Sequence, residues 1–197
     1  MLLNHIILAI LWIVYCVLHS VLASEGIKKK LQQKTKKWYR LGYTIFSFVF
    51  LVVVLYWQVS ISTIQLFQIA DAILLTGLVL SFSGLVLMLI CIKKYFINLS
   101  GLRSLVMENF SNELQITGIH KHVRHPLYLG TFAFIWGLFL LLPYLSLLIA
   151  NFIITVYTLI GIELEERKLV AEFGKDYEDY RRRVPKLIPF LKLRRKG

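Results

Sequence analysis

Residues 118–130 are the part of this chain best equipped for chemistry. Three histidines and an arginine lie within six positions, and a proline and a long apolar run follow at once. Imidazole and guanidinium groups can bind anions, move protons or, for histidine, ligate metals. Such groups are costly beside hydrocarbon and are usually functional there. The stretch is therefore the first candidate for a functional site, at the point where the chain meets a membrane.

A second candidate cluster is acidic and consists of Glu163, Glu165 and Glu166. In a helix, Glu163 and Glu166 share one face, and Glu165 lies on a neighbouring face. The apolar runs between the two clusters predict a helical hairpin that brings the acids to the histidines. Together the clusters suit a ligand that carries both signs of charge. The alternative is a set of ion pairs that cap the two helix ends.

The elements that position these clusters are predicted to be membrane helices. Of the 197 residues, 57% are hydrophobic, above the roughly 45–50% of soluble domains, and the mean hydropathy is +0.67. We predict an all-α polytopic membrane protein in which residues 1–197 form a single domain with a cytosolic, helical C-terminal tail. About five runs approach the ~20 residues that a bilayer core requires; they cover residues 2–23, 41–60, 70–92, 126–143 and 145–162.

The basic residues predict the orientation of the chain. All 23 lysines and arginines fall within residues 28–40, 93–124 or 167–196. The positive-inside rule then places the N-terminus outside and the C-terminus in the cytosol. The net charge of +12 is thus typical of a membrane protein that contacts anionic lipid, and no nucleic-acid partner is predicted. The sequence predicts no particular oligomeric state.

A metal site is an alternative interpretation of the histidines. His120, His122 and His125 form a His-x-His-x-x-His pattern that nearby glutamates could complete. The chain has five histidines, two of them in the first apolar run, which is too few for a membrane di-iron enzyme. A single catalytic metal is the remaining alternative, and our prediction is that no metal is bound.

Two separated motifs carry a family resemblance. Residues 124–130, Arg-His-Pro-Leu-Tyr-Leu-Gly, resemble the Arg-His-Pro-x-Tyr-x-Gly motif of the isoprenylcysteine carboxyl methyltransferases, a motif that phospholipid N-methyltransferases share. The family's C-terminal signature is matched by Glu165-Glu166, Phe173-Gly174, Tyr177, Tyr180, Val184-Pro185 and Pro189-Phe190. His19-Ser20 and the lysine-rich segment look like the bacterial branch that includes methanethiol S-methyltransferases.

The resemblance implies an enzyme that transfers a methyl group from S-adenosyl-L-methionine at the cytosolic membrane face, in a prokaryotic inner membrane. It implies a cofactor region over residues 112–130 and 163–190. The cofactor-binding residues that it implies are Asn112, Glu113, Leu114, Gln115, His120, His125, Pro126, Leu127, Tyr128 and Glu165. Catalytic roles are predicted for Arg124, Glu166 and Glu163. The alternatives are a phospholipid N-methyltransferase, a non-catalytic membrane scaffold and a single-metal membrane enzyme.

The methyl acceptor is predicted to be lipophilic or small, either a thiol or a prenylcysteine-like carboxylate. Prenylcysteine-specific members have an arginine four residues before the first glutamate of the pair, and here that position is Gly161. A carboxylate acceptor would lose its charge partner there, which favours a thiol. A thiol needs a base, because the thiolate is the nucleophile. Glu163, Glu166, His120 and His122 are the candidates.

Overall fold

The protein is described here from a computed structural model, which covers residues 1–24, 26, 38–99 and 114–188, without the side chains of residues 40 and 94–99. The predicted all-α fold is confirmed, and the described residues contain no strand. A one-turn 3₁₀ helix at Gly118–Lys121 precedes α4. Over the described residues, the named α-helices are α1 (Leu2–Ala23), α2 (Trp38–Ser60), α3 (Asp71–Leu99), α4 (Pro126–Leu141), α5 (Leu145–Phe173) and α6 (Lys175–Arg183).

Within the part of the chain that the structure describes, four helices are long and apolar enough to cross a membrane: Leu2–Ala23, Leu41–Ser60, Asp71–Lys93 and Leu145–Phe173. Many of their large apolar side chains, such as Phe48 and Phe82, face outward, as lipid contact requires. The chain is an integral membrane protein. Helix α4 has 16 residues, or about 24 Å at 1.5 Å per residue, against a hydrocarbon core of about 30 Å. The count of five spans therefore stays a prediction.

The helices pack side by side in the order α2, α1, α5, α4, α3. Between α1, α2 and α5 lies a buried core of Leu8, Trp12, Val54, Ile61 and Ala150. Within it, the indole Nε1 of Trp12 donates to Oε1 of Gln58 at 2.8 Å. Lipid tails are as apolar as this core, so close packing and hydrogen bonds of this kind hold such helices together.

Helices α3 and α4 lie in backbone contact because glycines face each other across their interface. A Cβ on Gly84 would lie 2.4 Å from the backbone nitrogen of Phe134, and one on Gly137 would lie 2.5 Å from the backbone nitrogen of Ser81. Both separations are shorter than any van der Waals contact. Glycine is therefore required at both positions, and the pair of helices holds the start of α4 at a fixed depth.

We expect Gly84→Ala to lower the melting temperature of the detergent-solubilised protein. The added methyl group forces α3 and α4 apart, and overpacking of this kind costs about 1–3 kcal/mol. Gly42→Ala is the matched control, because a Cβ at Gly42 meets nothing within 4 Å. Equal melting temperatures for the two variants would show that the backbone contact is not close in solution.

Hydrogen bonds define two ends of the bundle. At one end, Thr63 Oγ1 lies 3.1 Å from His5 Nε2 and accepts from the backbone N–H of Ser146 at 3.1 Å. At the other end, His19 lies between two tyrosines, with Nδ1 3.0 Å from the Tyr157 hydroxyl and Nε2 2.9 Å from the Tyr43 hydroxyl. We call this second end the cavity end, because a cavity lined by Arg124 and His125 lies there. The start of α4 and the last turns of α5 also lie there.

Helix α5 continues well past the predicted span of residues 145–162. It runs without a break to Phe173, so Glu163, Glu165 and Glu166 lie on a helix that extends beyond its apolar part. It ends at Gly174, whose φ of +52° favours glycine. Helix α6 then turns back, which places its tyrosines and the segment after it against the start of α4.

Candidate functional site

The segment before α4 is held in place by the chain after α6. Gly118 adopts a φ of +64° and opens the 3₁₀ turn, which ends at Lys121. The backbone N–H of Arg124 donates to the carbonyl of Pro185 at 3.0 Å, and that of His125 donates to the carbonyl of Lys186 at 3.2 Å. Pro126 starts α4, where its missing N–H costs nothing. The two signature segments of the sequence thus pair through their backbones.

Arg124 joins three segments through one side chain. Its Nε and Nη2 contact Oε1 of Glu166 at 2.8 and 2.7 Å. Its Nη1 donates to the carbonyl oxygens of Arg181, at 3.0 Å, and Val184. The Arg124 and Glu166 side chains are only 7% and 4% exposed. The pair is therefore a buried ion pair that fastens α5 and α6 to the start of α4.

His125 extends this cluster towards the cavity. Its Nε2 lies 3.2 Å from Oε1 of Glu166, and its Nδ1 lies 3.7 Å from Oε2 of Glu165. Its ring packs on the ring of Tyr128, with centroids 5.7 Å apart. The hairpin therefore brings the histidine and glutamate clusters together, as the sequence predicts.

His122 lies away from this cluster, and Glu163 is linked to it through Lys186, whose Nζ lies 3.7 Å from Oε2 of Glu166. The Glu163 carboxylate is half-exposed and accepts from Nζ of Lys186 at 3.0 Å, and His122 is exposed to solvent. Over the described parts of the chain, no group of three or more His, Cys, Asp or Glu side chains is arranged to hold a metal ion. The three histidines do not converge, so the metal interpretation gains no support from the geometry.

Beside the ion pair lies a cavity of about 270 Å³. Its wall includes five of the residues predicted to bind cofactor, Leu114, Gln115, His120, His125 and Glu165, together with Arg124. Pro126, Leu127 and Tyr128, also predicted to bind cofactor, do not line it, and neither do Glu163 and Glu166. Asn112 and Glu113 lie outside the described residues.

Sequence reasoning did not assign the other half of the wall to a binding role. That half consists of Leu169, Glu172, Phe173, Tyr177 and Tyr180. The first three follow Glu165 at intervals of four, seven and eight residues, so one face of α5 carries all four side chains. The tyrosines belong to the C-terminal signature on α6. The helical spacing from Glu165 onwards, together with the C-terminal signature, could have predicted these five wall residues from the sequence.

Two wall residues are fixed by bonds to the 118–125 segment. The hydroxyl of Tyr180 donates to the carbonyl of His120 at 2.7 Å. His120 Nδ1 lies 3.1 Å from the carbonyl oxygen of Arg124. Because a carbonyl only accepts, Nδ1 carries the proton and Nε2 is the basic nitrogen. The wall thus presents two carboxylates, two imidazoles and aromatic rings from two helices and the segment that contains the turn.

The protein combines transmembrane helices with a cavity that is lined by charges of both signs at one end. This combination is typical of membrane enzymes that bind a polar ligand beside the bilayer. Residues 72–176, more than half of the chain, match the family described as phospholipid methyltransferase. The chain belongs to this family, and it is a membrane methyltransferase. This confirms the family resemblance seen in the sequence.

Three relatives whose names state an activity align with between 42% and 94% of this chain. A methanethiol S-methyltransferase of Crocosphaera subtropica is 31% identical over 193 residues, which cover 90% of this chain and 72% of the relative. Methanethiol S-methyltransferase 1 of Bradyrhizobium diazoefficiens is 32% identical over 197 residues, 94% of this chain and 67% of the relative. A protein-S-isoprenylcysteine O-methyltransferase of Schizosaccharomyces pombe is 37% identical over 84 residues, 42% of this chain and 36% of the relative. No solved structure gives a significant match.

Proposed function

We propose that this enzyme transfers a methyl group from S-adenosyl-L-methionine to a small or lipophilic thiol at the cytosolic membrane face. The observation that carries the proposal is the cavity itself. It lies at the end of the transmembrane bundle, and its wall combines two carboxylates, imidazoles and aromatic rings. A soluble nucleoside donor and a membrane-dissolved acceptor can meet only at such a boundary.

The donor set on the cavity wall fits S-adenosyl-L-methionine. The Glu165 carboxylate suits the ammonium or sulfonium charge, His125 suits the carboxylate, and aromatic residues such as Phe173 suit the adenine ring. Leu114, Gln115, His120, His125 and Glu165 would hold the donor, and Asn112 and Glu113 are proposed to complete the site. When bound, the donor supplies a methyl group on a positively charged sulfur that leaves as a neutral thioether.

Arg124 and Glu166 act by positioning in this proposal. Every nitrogen of the Arg124 guanidinium contacts a protein acceptor, and Glu166 lies behind the cavity wall. They fix the turn and the face of α5 that carry the binding residues. Methyl transfer needs the nucleophile, methyl group and sulfur in line, and alignment of this kind contributes up to roughly 7–11 kcal/mol to catalysis.

The environment of Gly161 supports a thiol acceptor over a carboxylate. No side chain replaces the arginine of the prenylcysteine-specific enzymes, and a Cβ at Gly161 meets nothing within 4 Å. An ionised carboxylate there would lack its usual partner at a membrane-buried site. Two methanethiol S-methyltransferases also align with 90% or more of this chain, against 42% for the Schizosaccharomyces pombe enzyme. Prenylcysteine carboxyl methylation is the second candidate.

His120 is our proposed base for the thiol. Of Glu163, Glu166, His120 and His122, only His120 lines the cavity. Its Nδ1 lies 3.1 Å from the carbonyl oxygen of Arg124, so Nδ1 carries the proton and Nε2 is proposed to take the proton of the thiol. Cysteine-like thiols have a pKa near ~8.5, so most are protonated at neutral pH and gain from a base.

We expect His120→Asn to lower kcat for thiol methylation by about 100-fold at neutral pH, the lower end of what a general base contributes. The asparagine amide can still donate to the Arg124 carbonyl but cannot take the proton. The activity of the variant should recover as the pH approaches the thiol pKa of ~8.5, because thiolate then forms without help. Initial rates of both proteins across this range test the role. A parallel loss at every pH would contradict it.

The proposed orientation has the N-terminus outside and the C-terminus in the cytosol of a prokaryotic cell, in its inner membrane. Structural support comes from the two ends of the bundle, which separate Thr63 and Ser146 from the cavity. The basic residues that the structure describes, such as Lys121, Arg167 and Lys168, lie at the cavity end. Labelling of single cysteines from outside should reach position 63 and fail at position 178. The reverse pattern would overturn this orientation.

Acceptor specificity tests the proposed reaction. Purified enzyme with labelled S-adenosyl-L-methionine is assayed against small thiols, long-chain thiols, farnesylcysteine and a lipid amine. We expect labelled thioether from at least one thiol. Carboxyl methylation of farnesylcysteine without turnover of any thiol would favour the second candidate, and methylation of the lipid amine alone would indicate a phospholipid N-methyltransferase.

A further inference from the structure

Tyr177 is the most deeply buried residue on the cavity wall. It is 1% exposed, and its hydroxyl has no hydrogen-bond partner among the residues that the structure describes. Its ring packs against Tyr180, with centroids 5.9 Å apart. Phenylalanine would keep this packing without the buried hydroxyl, so packing does not explain why tyrosine stands here.

A buried polar group without a partner is costly, and native proteins contain few of them. Burial, with a further contribution from the nearby Glu166 charge, raises the pKa of the Tyr177 hydroxyl. It is therefore protonated at neutral pH and acts as a donor. Tyr177 forms part of the cavity wall, and its buried hydroxyl has one hydrogen bond to offer.

The strongest donor nearby is already used. The guanidinium of Arg124 bonds Glu166 and the carbonyls of Arg181 and Val184. It has little left for a ligand that brings acceptor atoms into the cavity. Among the described residues, the hydroxyl of Tyr177 is a donor of the cavity wall that has no hydrogen-bond partner in the protein.

We propose that the Tyr177 hydroxyl donates a hydrogen bond to an oxygen or ring-nitrogen acceptor of the adenosyl methyl donor. This makes Tyr177 a ligand-binding residue, and the inference rests on the proposed function of the cavity. Tyr180, three residues on, has a different role. Its hydroxyl bonds the carbonyl of His120 and so fixes the turn.

The pair permits a matched experiment with Tyr177→Phe and Tyr180→Phe. Each variant loses one buried hydroxyl from the same helix. We measure the melting temperature of each detergent-solubilised protein without ligand, and the affinity for S-adenosylhomocysteine by calorimetry. Tyr177→Phe should melt at or above the wild-type temperature and bind the ligand about 3- to 10-fold more weakly, the worth of one hydrogen bond. Tyr180→Phe should melt at a lower temperature.

The outcomes separate this inference from the proposed function. If the wild-type protein binds no S-adenosylhomocysteine, the proposed function fails. If it binds and Tyr177→Phe binds equally well, or if Tyr177→Phe loses stability as Tyr180→Phe does, only the present inference is overturned. Methylthioadenosine, which lacks the amino-acid part, then locates the bond. If Tyr177→Phe weakens the binding of both ligands, the acceptor atom belongs to the nucleoside. If it weakens only the binding of S-adenosylhomocysteine, the acceptor atom belongs to the amino-acid part.

Discussion

Arg124→Met is expected to lower the free energy of unfolding by about 3–5 kcal/mol and to abolish binding of the methyl donor. The substitution leaves the Glu166 carboxylate, 4% exposed, buried without its main partner, which is the costly way to break a buried ion pair. It also frees the carbonyls of Arg181 and Val184 from their donor. Chemical denaturation in detergent and calorimetric titration with S-adenosylhomocysteine measure the two effects.

A double substitution distinguishes a positioning pair from a general loss of packing. Arg124→Met combined with Glu166→Leu removes both charges, so neither is left uncompensated. We expect the double variant to be more stable than either single variant. Removing both charges costs less free energy than leaving one of them buried without a partner. Additive losses in the double variant would show that the two side chains do not act as a pair.

Glu165→Ala is expected to weaken donor binding by about 10- to 100-fold with little change in stability. A charge-assisted hydrogen bond to a cationic ligand contributes about 1.5–3 kcal/mol. The Glu165 side chain is 46% exposed and its described ion-pair partner is His125 at 3.7 Å, so the unliganded fold depends on it little. Calorimetry and the melting temperature of the variant test both statements.

Glu178→Ala is the control for Glu165→Ala. It makes the same change of charge on α6, and Glu178 does not line the cavity. Its donor affinity should match that of the wild type. An equal loss of affinity in both variants would mean that the general negative charge of this end, rather than a contact in the cavity, attracts the donor.

The two motifs identified from the sequence meet in the structure, beside the cavity that we propose as the site. Apolar runs separated by basic segments predict the helices, and the hairpin between residues 126 and 162 brings Arg124 to Glu166. This worked because the spacing of charges along α5 is a helical one, so side-chain faces follow from numbering. The segment after α6 was recognisable only as part of a signature.

Contacts between segments that are far apart in the sequence could not be predicted. The residues around Gly84 and Gly137 in the sequence do not show that each glycine contacts the backbone of the opposite helix, α4 or α3. The roles of Arg124 and Glu166 likewise changed from predicted catalysis to proposed positioning once their partners were known. Residue type indicates that a charge has a function, whereas burial and partners decide whether it faces a ligand or the protein.

Hydrogen–deuterium exchange with and without S-adenosylhomocysteine tests most directly whether the cavity holds the methyl donor. We expect the ligand to slow exchange in peptides covering residues 114–125 and 173–183, which line or support the cavity. Peptides from α1 and α2 should exchange at the same rate in both states. Binding without protection in those two segments, or with protection only in α1 and α2, would contradict the placement of the donor.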